Sequence, residues 1–402
     1  MTTLGSGSRA IDRRRVLRGL VAAPAAGLVA ARPGFFGAGR ASAQDGPVRF
    51  GVSGPFSGNS AEYGRIWQQA MGLAVEEING GDGIAGRQLE LVYEDTQSTP
   101  QQSVPVAQKF VGDASIVAEL GDFASPASMA ASPIYERGKL VQFGFTNSHP
   151  DFTKGGEYMF STTLSQVQDA AFLAKTAFEN FGGKQAVLYR NTDWGKVTQE
   201  LYVAALAELG GEAVAVESYL ESERDFRSLL AAVRDAQPEV VTLIAYYTDG
   251  ALLAQQAESV EIAAQLVASG SCNSPQFIEL GGESVNGVVT TTVFFPGAPR
   301  PEAEPFVAAY RERYGEDPDS FAALAYDGVK ILAWAANEGG AEREAIQRTL
   351  VEGTEIPSIV YGPFRFAEDR RVLNAAMVPI QVEGGRFTAF EGEDGAASPT
   401  AT

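Results

Sequence analysis

Two residue types on which most enzymes depend are almost absent from this chain. It contains one histidine, His149, and one cysteine, Cys272, in 402 residues. A Ser–His–Asp triad would have to use His149, which falls in a predicted loop, and one residue of each type cannot build a His- or Cys-rich metal site. Cys272 cannot form an internal disulfide and is expected to be a small buried hydrophobic residue. We therefore predict a protein that is not an enzyme and uses no metal ion or cofactor.

One glycine-rich stretch has the spacing of a nucleotide-binding motif. Gly81, Gly83 and Gly86 fit the pattern G-x-G-x-x-G. In a dinucleotide site these glycines lie between a strand and a helix, so that the helix N-terminus faces the pyrophosphate. Here they follow a predicted helix and precede a predicted strand. The stretch is therefore predicted to be a turn.

The charge balance limits the possible partners. Asp and Glu number 50 against 31 Lys and Arg, and the net charge is −19. Nucleic acids and anionic membrane surfaces attract clustered Lys and Arg, so neither is expected to be the main partner. The composition, 45% hydrophobic and 20% charged, is typical of a folded soluble protein. The charge itself says nothing about the ligand, and we expect a monomer.

Residues 1–43 have the pattern of a cleaved signal peptide. The basic segment Asp12–Arg18 is followed by an Ala-rich apolar stretch, and Ala41-Ser42-Ala43 supplies the small residues of a cleavage site. The pair Arg13-Arg14 resembles a twin-arginine export signal. We predict cleavage near Ala43-Gln44 and a periplasmic location. A basic disordered tail is the alternative.

Strand and helix patterns then alternate along the chain, in two series. Short apolar runs predict strands, and longer segments with apolar residues at helical spacing predict the helices between them. The predicted strands cover 48–53, 89–93, 116–120 and 140–145 in the first series and 186–189, 213–219, 240–245, 266–268 and 288–295 in the second. This order predicts an α/β fold of two doubly wound lobes, each a parallel sheet with helices on both faces.

The last part of the chain is predicted to be helical and then to form short strands. Helices are predicted over 303–314, 320–337 and 342–351, followed by strands near 362–366, 375–381 and 386–390. Residues 391–402 are rich in Gly, Ser and Glu and are predicted to be a disordered tail.

Short motifs follow one another in a fixed order over residues 51–366. They are Gly51-Val52-Ser53-Gly54-Pro55-Phe56-Ser57-Gly58, Glu76-Glu77-Ile78-Asn79-Gly80-Gly81, Gly121-Asp122-Phe123-Ala124-Ser125, Phe145-Thr146-Asn147-Ser148-His149, Asp193-Trp194-Gly195, Ala325-Tyr326-Asp327 and Tyr361-Gly362-Pro363-Phe364. In order and spacing they resemble the periplasmic leucine/isoleucine/valine-type (branched-chain amino acid) binding proteins. Those proteins are solute receptors of ABC transporters and have the type I periplasmic-binding fold.

The resemblance implies two lobes joined by three crossover segments, with a ligand held between the lobes when they close. It places lobe one at 44–164 plus 297–367 and lobe two at 165–296 plus 368–390. It also implies an ABC permease and ATPase in the inner membrane as partners. A sensor subunit of the same fold is the alternative, because both roles use lobe closure.

Three hydroxyl side chains are expected to bind one end of the ligand. Ser125 follows the predicted strand 116–120, where a helix begins, and helix N-termini beyond the carboxyl ends of strands favour anionic groups. The resemblance implies that Ser125 binds a ligand carboxylate, and that Thr146 and Ser148 contact the ligand's carboxylate and amino groups. Capping of the helix is the alternative role for Ser125.

Aromatic side chains are expected to complete the cleft. The resemblance implies that Tyr63, Trp194, Tyr246 and Phe321 pack around the ligand or close across it. Aromatic walls offer a large contact area and lose little rotamer entropy. Ordinary core packing is the alternative for each of them.

The acidic residue that would bind a ligand's ammonium group is missing from its expected position. The resemblance implies a carboxylate in the loop after strand 266–268, but Gly270 occupies that place. A buried ammonium without a counter-charge is costly, so another acid would have to replace it. Asp249 and Asp122 are the candidates, although capping of a helix is the alternative for Asp249. We expect either a branched-chain or hydrophobic amino acid, or an amine-free organic or aromatic acid.

Overall fold

One parallel sheet organises the first half of the protein. A computed structural model describes residues 46–373 and 375–392, so the predicted signal peptide and residues 393–402 of the predicted tail lie outside the described residues. The strands are β1 (Val48–Gly54), β2 (Leu89–Asp95), β3 (Ile116–Leu120), β4 (Val141–Gly144) and β5 (Met159–Ser161). Their order is β2-β1-β3-β4-β5, and all neighbours are parallel. The order therefore reverses between β1 and β3.

Helices from two distant parts of the chain cover this sheet, and together they form lobe one. The early helices are α1 (Ala61–Gly80), α2 (Pro100–Gly112) and α3 (Ser125–Arg137), and the later ones are α9 (Glu304–Tyr314), α10 (Ser320–Gly339) and α11 (Arg343–Glu352). Helix α10 packs on α1, α11 and β3, and most of its residues are buried. Asp319 caps α10 by accepting a hydrogen bond from the backbone N–H of Ala322 at 2.8 Å.

A second, mostly parallel sheet organises lobe two. Its strands are β6 (Lys184–Arg190), β7 (Glu212–Tyr219), β8 (Val240–Ile244), β9 (Gln265–Ala268), β10 (Val289–Thr292), β11 (Val378–Glu383) and β12 (Arg386–Ala389). The order is β12-β11-β10-β9-β8-β6-β7, with β11 antiparallel to both of its neighbours. The helices of this lobe are α4 (Gln166–Phe181), α5 (Asp193–Glu208), α6 (Arg227–Asp235), α7 (Tyr247–Ser259) and α8 (Pro275–Gly281). The predicted α/β fold with two doubly wound lobes is confirmed.

Three local features bear on the predictions. The segment 81–86 forms turns between α1 and β2, as predicted, with Gly83 and Gly86 at positive φ. The strand predicted near 362–366 is wrong, because Gly362 has a φ of 70° and the segment makes only the isolated bridges Ile356↔Phe364 and Phe366↔Val372. Strand β5 was not predicted, since three residues are too few to show a periodicity.

Within the described residues, no helix combines the length and apolar character needed to cross a membrane.

Candidate functional site

A small cavity lies between the two lobes, at the carboxyl ends of their strands. Its free volume is about 90 Å³. By the space that one water needs, this corresponds to roughly six to nine water-sized groups. Six of the residues predicted to bind ligand line it, namely Ser125, Thr146, Ser148, Trp194, Tyr246 and Phe321. The cavity is therefore of a size for one small molecule, contacted by both lobes.

Ser125 is placed to donate a hydrogen bond into the cavity. It is the first residue of α3, and Ala124 holds the N-cap position before it, so the capping alternative is wrong. Its Oγ accepts a long hydrogen bond of 3.4 Å from the backbone N–H of His149. An acceptor atom of a ligand can therefore accept a hydrogen bond from the Ser125 hydroxyl, beside the positive end of α3.

Thr146 and Ser148 follow β4 and lie beside Ser125 in the wall of the cavity. The Thr146 hydroxyl donates to the backbone carbonyls of Asp122 and Phe123, each at 3.3 Å. The Ser148 hydroxyl accepts a hydrogen bond of 3.3 Å from Nε1 of Trp194, which belongs to lobe two. This contact links the polar wall of lobe one to an aromatic residue of lobe two.

Aromatic rings form much of the remaining wall. The rings of Trp194 and Tyr246 are 5.1 Å apart, and Tyr246 also meets Phe123 edge-on at 5.1 Å. Behind Tyr246, the Arg190 guanidinium carbon lies 4.6 Å from the ring centroid. Phe123 was not predicted as a site residue. Its position between the end of β3 and Ser125 is the sequence feature that could have identified it.

Tyr63, by contrast, lies behind the wall and does not line the cavity. Its ring is fully buried and stacks on Phe123 at 3.9 Å. Its hydroxyl donates to the backbone carbonyl of Ser271 at 2.6 Å and accepts from the backbone N–H of Tyr247 at 3.4 Å. Burial holds the pKa of Tyr63 well above its usual range, so the hydroxyl keeps its proton. Tyr63 therefore joins the lobes instead of forming the cavity wall.

Asp122 is also outside the cavity and has a structural environment. The buried carboxylate accepts hydrogen bonds from the hydroxyls of Thr96, Ser98 and Ser103 and from the backbone N–H of Phe123. Burial raises its pKa, and these hydrogen bonds act in the opposite direction. The carboxylate holds the loop after β3 against the loop after β2.

Asp249, the other predicted ammonium partner, is paired within lobe two. Its Oδ2 lies 2.5 Å from an Arg190 guanidinium nitrogen, and both side chains are buried. Asp249 is the third residue of α7 and Tyr246 holds the N-cap position, so the capping alternative is wrong here too. The residue lies behind Tyr246 and does not line the cavity. Neither predicted acid is therefore in position to contact a molecule in the cavity.

An acid that was not predicted lines the cavity instead. Asp169, in the first turn of α4, accepts a hydrogen bond of 3.3 Å from the Thr291 hydroxyl, and burial raises its pKa to about 6. Gly270 lines the cavity nearby, and a Cβ on it would lie 2.9 Å from the carbonyl oxygen of Thr291. The expected acidic position therefore has no room for a side chain in this conformation.

Further contacts between the lobes show that the cleft is closed. The Tyr247 hydroxyl donates to the backbone carbonyl of Asn59 at 3.0 Å. Nε2 of His149 lies 3.3 Å from a carboxylate oxygen of Asp193 across the cleft. Burial lowers the pKa of His149, and Asp193 opposes this shift. The Tyr247 contact and the Trp194 contact to Ser148 do not depend on that titration.

Neither Cys272 nor a cluster of metal-binding side chains adds a reactive group to the cavity in the described part of the chain. Cys272 is buried, as predicted, and its thiol donates to the backbone carbonyl of Ala245 at 3.4 Å. Burial raises its pKa, which disfavours the reactive thiolate. In the described part of the chain, no cluster of three or more His, Cys, Asp or Glu side chains could hold a metal ion.

Comparison with known proteins identifies the family. Residues 47–386 match the pattern of the periplasmic binding proteins. The Leu/Ile/Val-binding protein homolog 2 of Brucella abortus is 28% identical over 298 residues, which cover 73% of this chain and 79% of the relative.

Two solved structures have the same fold. A leucine binding protein from Thermotoga maritima has a TM-score of 0.79 and 26% identity, covering 85% of this chain and 97% of its own. A branched-chain amino acid transporter substrate binding protein from Streptococcus pneumoniae, in complex with isoleucine, has a TM-score of 0.79 and 25% identity, covering 85% of this chain and 98% of its own. The family match and these relatives together show that the chain belongs to the periplasmic binding proteins of the leucine/isoleucine/valine type and is a binding protein, not an enzyme.

Proposed function

We propose that this chain is the receptor of an ABC importer and captures a small carboxylate-bearing ligand with an apolar or aromatic body by closure of its two lobes. One observation carries the proposal, namely the small cavity at the lobe boundary with Ser125, Thr146 and Ser148 on one wall and Trp194 and Tyr246 on another. Hydroxyl groups and the N-terminus of α3 suit an anionic group. Aromatic rings suit an apolar body.

The relatives supply the first candidate for the ligand. The Brucella relative carries the name of a Leu/Ile/Val-binding protein, and the Streptococcus structure holds isoleucine. A branched-chain or hydrophobic amino acid is therefore the first candidate. The second is an amine-free organic or aromatic acid, which is favoured by Gly270 at the expected acidic position and by the burial of Asp249 and Asp122 away from the cavity.

Export is part of the proposal. Residues 1–43 would direct the precursor through the twin-arginine route, and the mature chain from Gln44 would act as a periplasmic monomer with a permease and ATPase in the inner membrane. Replacing Arg13 and Arg14 by Lys should leave the precursor in the cytoplasmic fraction. Unchanged export of that variant would contradict the twin-arginine route.

The ligand can be identified without prior assumptions. Small molecules released by denaturing the purified protein are identified by mass spectrometry, and each is tested by thermal shift. A ligand at a hundred times its Kd should stabilise the protein by about 2.7 kcal/mol. Small-angle scattering should show a smaller radius of gyration with the ligand than without it. If no carboxylate-bearing compound raises the melting temperature, the proposal fails.

The membrane protein that binds this receptor distinguishes a role in sensing from a role in transport. Co-purification of the closed protein with a permease and ATPase supports transport, whereas co-purification with the external domain of a membrane kinase supports sensing.

A further inference from the structure

One charged side chain lines the cavity among the residues that the structure describes. Among the described residues that line it, Asp169 is the one with an ionisable carboxylate, and none is Lys or Arg. Within the described ranges, its carboxylate accepts a hydrogen bond of 3.3 Å from the Thr291 hydroxyl. A carboxylate can accept several hydrogen bonds, so this one long bond leaves most of its capacity unused.

Asp169 lies close to the hydroxyl groups on the facing wall. The backbone N–H of Gln166, the first residue of α4, donates to the backbone carbonyl of Ser148 at 2.8 Å. Asp169 follows three residues later, about 4.5 Å further along the helix axis. Ser148 and Asp169 also line the same small cavity, so one small ligand can contact both residues.

Asp169 also lies beside the place where a side chain is missing. Thr291 connects the two positions, because its hydroxyl donates to Asp169 while its carbonyl oxygen lies 2.9 Å from where a Cβ on Gly270 would be. Asp169 is therefore the acid nearest to the position that Gly270 leaves without a charge.

The electrostatics of the cavity favour a cation at Asp169. Its neighbours in the wall are hydroxyl, aromatic and aliphatic groups, so no cationic side chain among the described lining residues neutralises its charge. Burial raises the pKa of Asp169 to about 6, and the carboxylate is therefore mostly ionised at neutral pH. An ammonium group on the ligand would supply the missing counter-charge, whereas an amine-free anion would meet like charge.

We propose that Asp169 binds the amino group of the ligand, so that the cavity selects an α-amino acid over the amine-free acid of the same shape. The inference rests on the proposed function, in that the ligand's carboxylate must first be held near Ser125 and Ser148. Asp169 then determines which class of carboxylate is retained.

The test compares each amino acid with its des-amino analogue. Leucine is paired with isocaproate, valine with isovalerate and phenylalanine with hydrocinnamate, and Kd is measured by calorimetry on the mature protein. The wild-type protein should prefer the best amino acid by at least about 30-fold over its analogue. In Asp169→Asn, which keeps the shape of the side chain, the preference should fall to about 3-fold or less. Asp225→Asn removes an exposed charge of the same lobe and should leave the preference unchanged.

The outcomes separate this inference from the proposed function. Amino acids that bind Asp169→Asn as well as wild type would overturn the inference and leave the receptor function standing. A wild-type preference for the des-amino acids would also overturn the inference and leave the receptor function standing. This comparison does not depend on the folding of any variant. If neither class of compound binds the wild-type protein, the carboxylate-receptor proposal fails and the inference fails with it.

Discussion

Removing the Tyr63 hydroxyl should weaken ligand binding although Tyr63 does not contact the cavity. In the closed structure this hydroxyl donates to the Ser271 carbonyl at 2.6 Å and accepts from the Tyr247 N–H at 3.4 Å, and both partners belong to lobe two. Opening exposes all three groups to water, so Tyr63→Phe removes interactions of the closed state alone. The loss should be about 1 to 2 kcal/mol for the hydrogen bonds.

Because ligand binding and closure are coupled, that loss appears in the affinity. Calorimetric titration with the tightest-binding amino acid or organic acid should give a Kd that is about 5- to 30-fold higher in Tyr63→Phe. Scattering of the ligand-free protein should be unchanged. The melting temperature of the ligand-free variant should also stay near that of wild type, since the open form does not contain the bonds.

A matched control is available within one lobe. The Tyr202 hydroxyl donates to Gln185 at 2.5 Å and accepts from Thr242 at 2.7 Å, and all three residues belong to lobe two. Tyr202→Phe should lower the melting temperature and leave Kd unchanged. If Tyr63→Phe binds within twofold of wild type, or if Tyr202→Phe weakens binding as strongly, the assignment of Tyr63 to lobe closure is refuted.

Three further changes have defined outcomes. Ser125→Ala should raise the Kd of a carboxylate ligand by about 5- to 30-fold in calorimetry. The melting temperature of the free protein should not fall, because the hydroxyl does not cap α3, and a large loss of stability would contradict this. Asp249→Asn removes the buried counter-charge of Arg190 and leaves only the exposed Glu221 beside it, so the variant should be destabilised by about 3 kcal/mol in urea unfolding. A change under about 1 kcal/mol would argue against the pair. Amino-acid affinity should fall as the pH drops through and below about 6, where Asp169 becomes protonated. This pH dependence of the affinity should be absent in Asp169→Asn. An equal pH dependence in the two proteins would count against ionised Asp169 as the ammonium partner.

The polar wall of the cavity could be placed from the sequence because its residues follow strands directly. Ser125, Thr146 and Ser148 come a few residues after β3 and β4, and the carboxyl ends of neighbouring parallel strands lie together at one edge of a sheet. Trp194 and Tyr246 likewise follow the ends of β6 and β8. The strand ends indicated the region of the site, and the resemblance to the family selected the individual residues within it.

Asp169 could not be found in this way. It lies on a helix with polar residues on its outer face, where an acid is ordinarily exposed to solvent. The partner that reveals its role, Thr291, is 122 residues away in sequence. No local pattern indicates that closure of the lobes would bring the first turn of α4 and the end of β10 to one cavity.

Tyr63 was predicted to contact the ligand, but another aromatic ring occupies that part of the cavity wall. Tyr63 lies in the first turn of α1, near the cleft, but Phe123 occupies the wall and the Tyr63 ring stacks behind it. The sequence identifies both rings as large and apolar, and only side-chain packing decides which of them faces the ligand.

Three hydrogen bonds between the lobes have backbone carbonyl groups as acceptors, so they depend little on which side chains those residues carry. Tyr63 donates to the main-chain carbonyl of Ser271, Tyr247 donates to that of Asn59, and a main-chain N–H of α4 donates to the carbonyl of Ser148. Substitutions at Asn59 or Ser271 would leave these acceptors in place. The cavity can therefore accumulate mutations and change its preferred ligand during evolution while the closing movement is retained. New transport specificities can arise in this scaffold without the mechanics of capture having to evolve again.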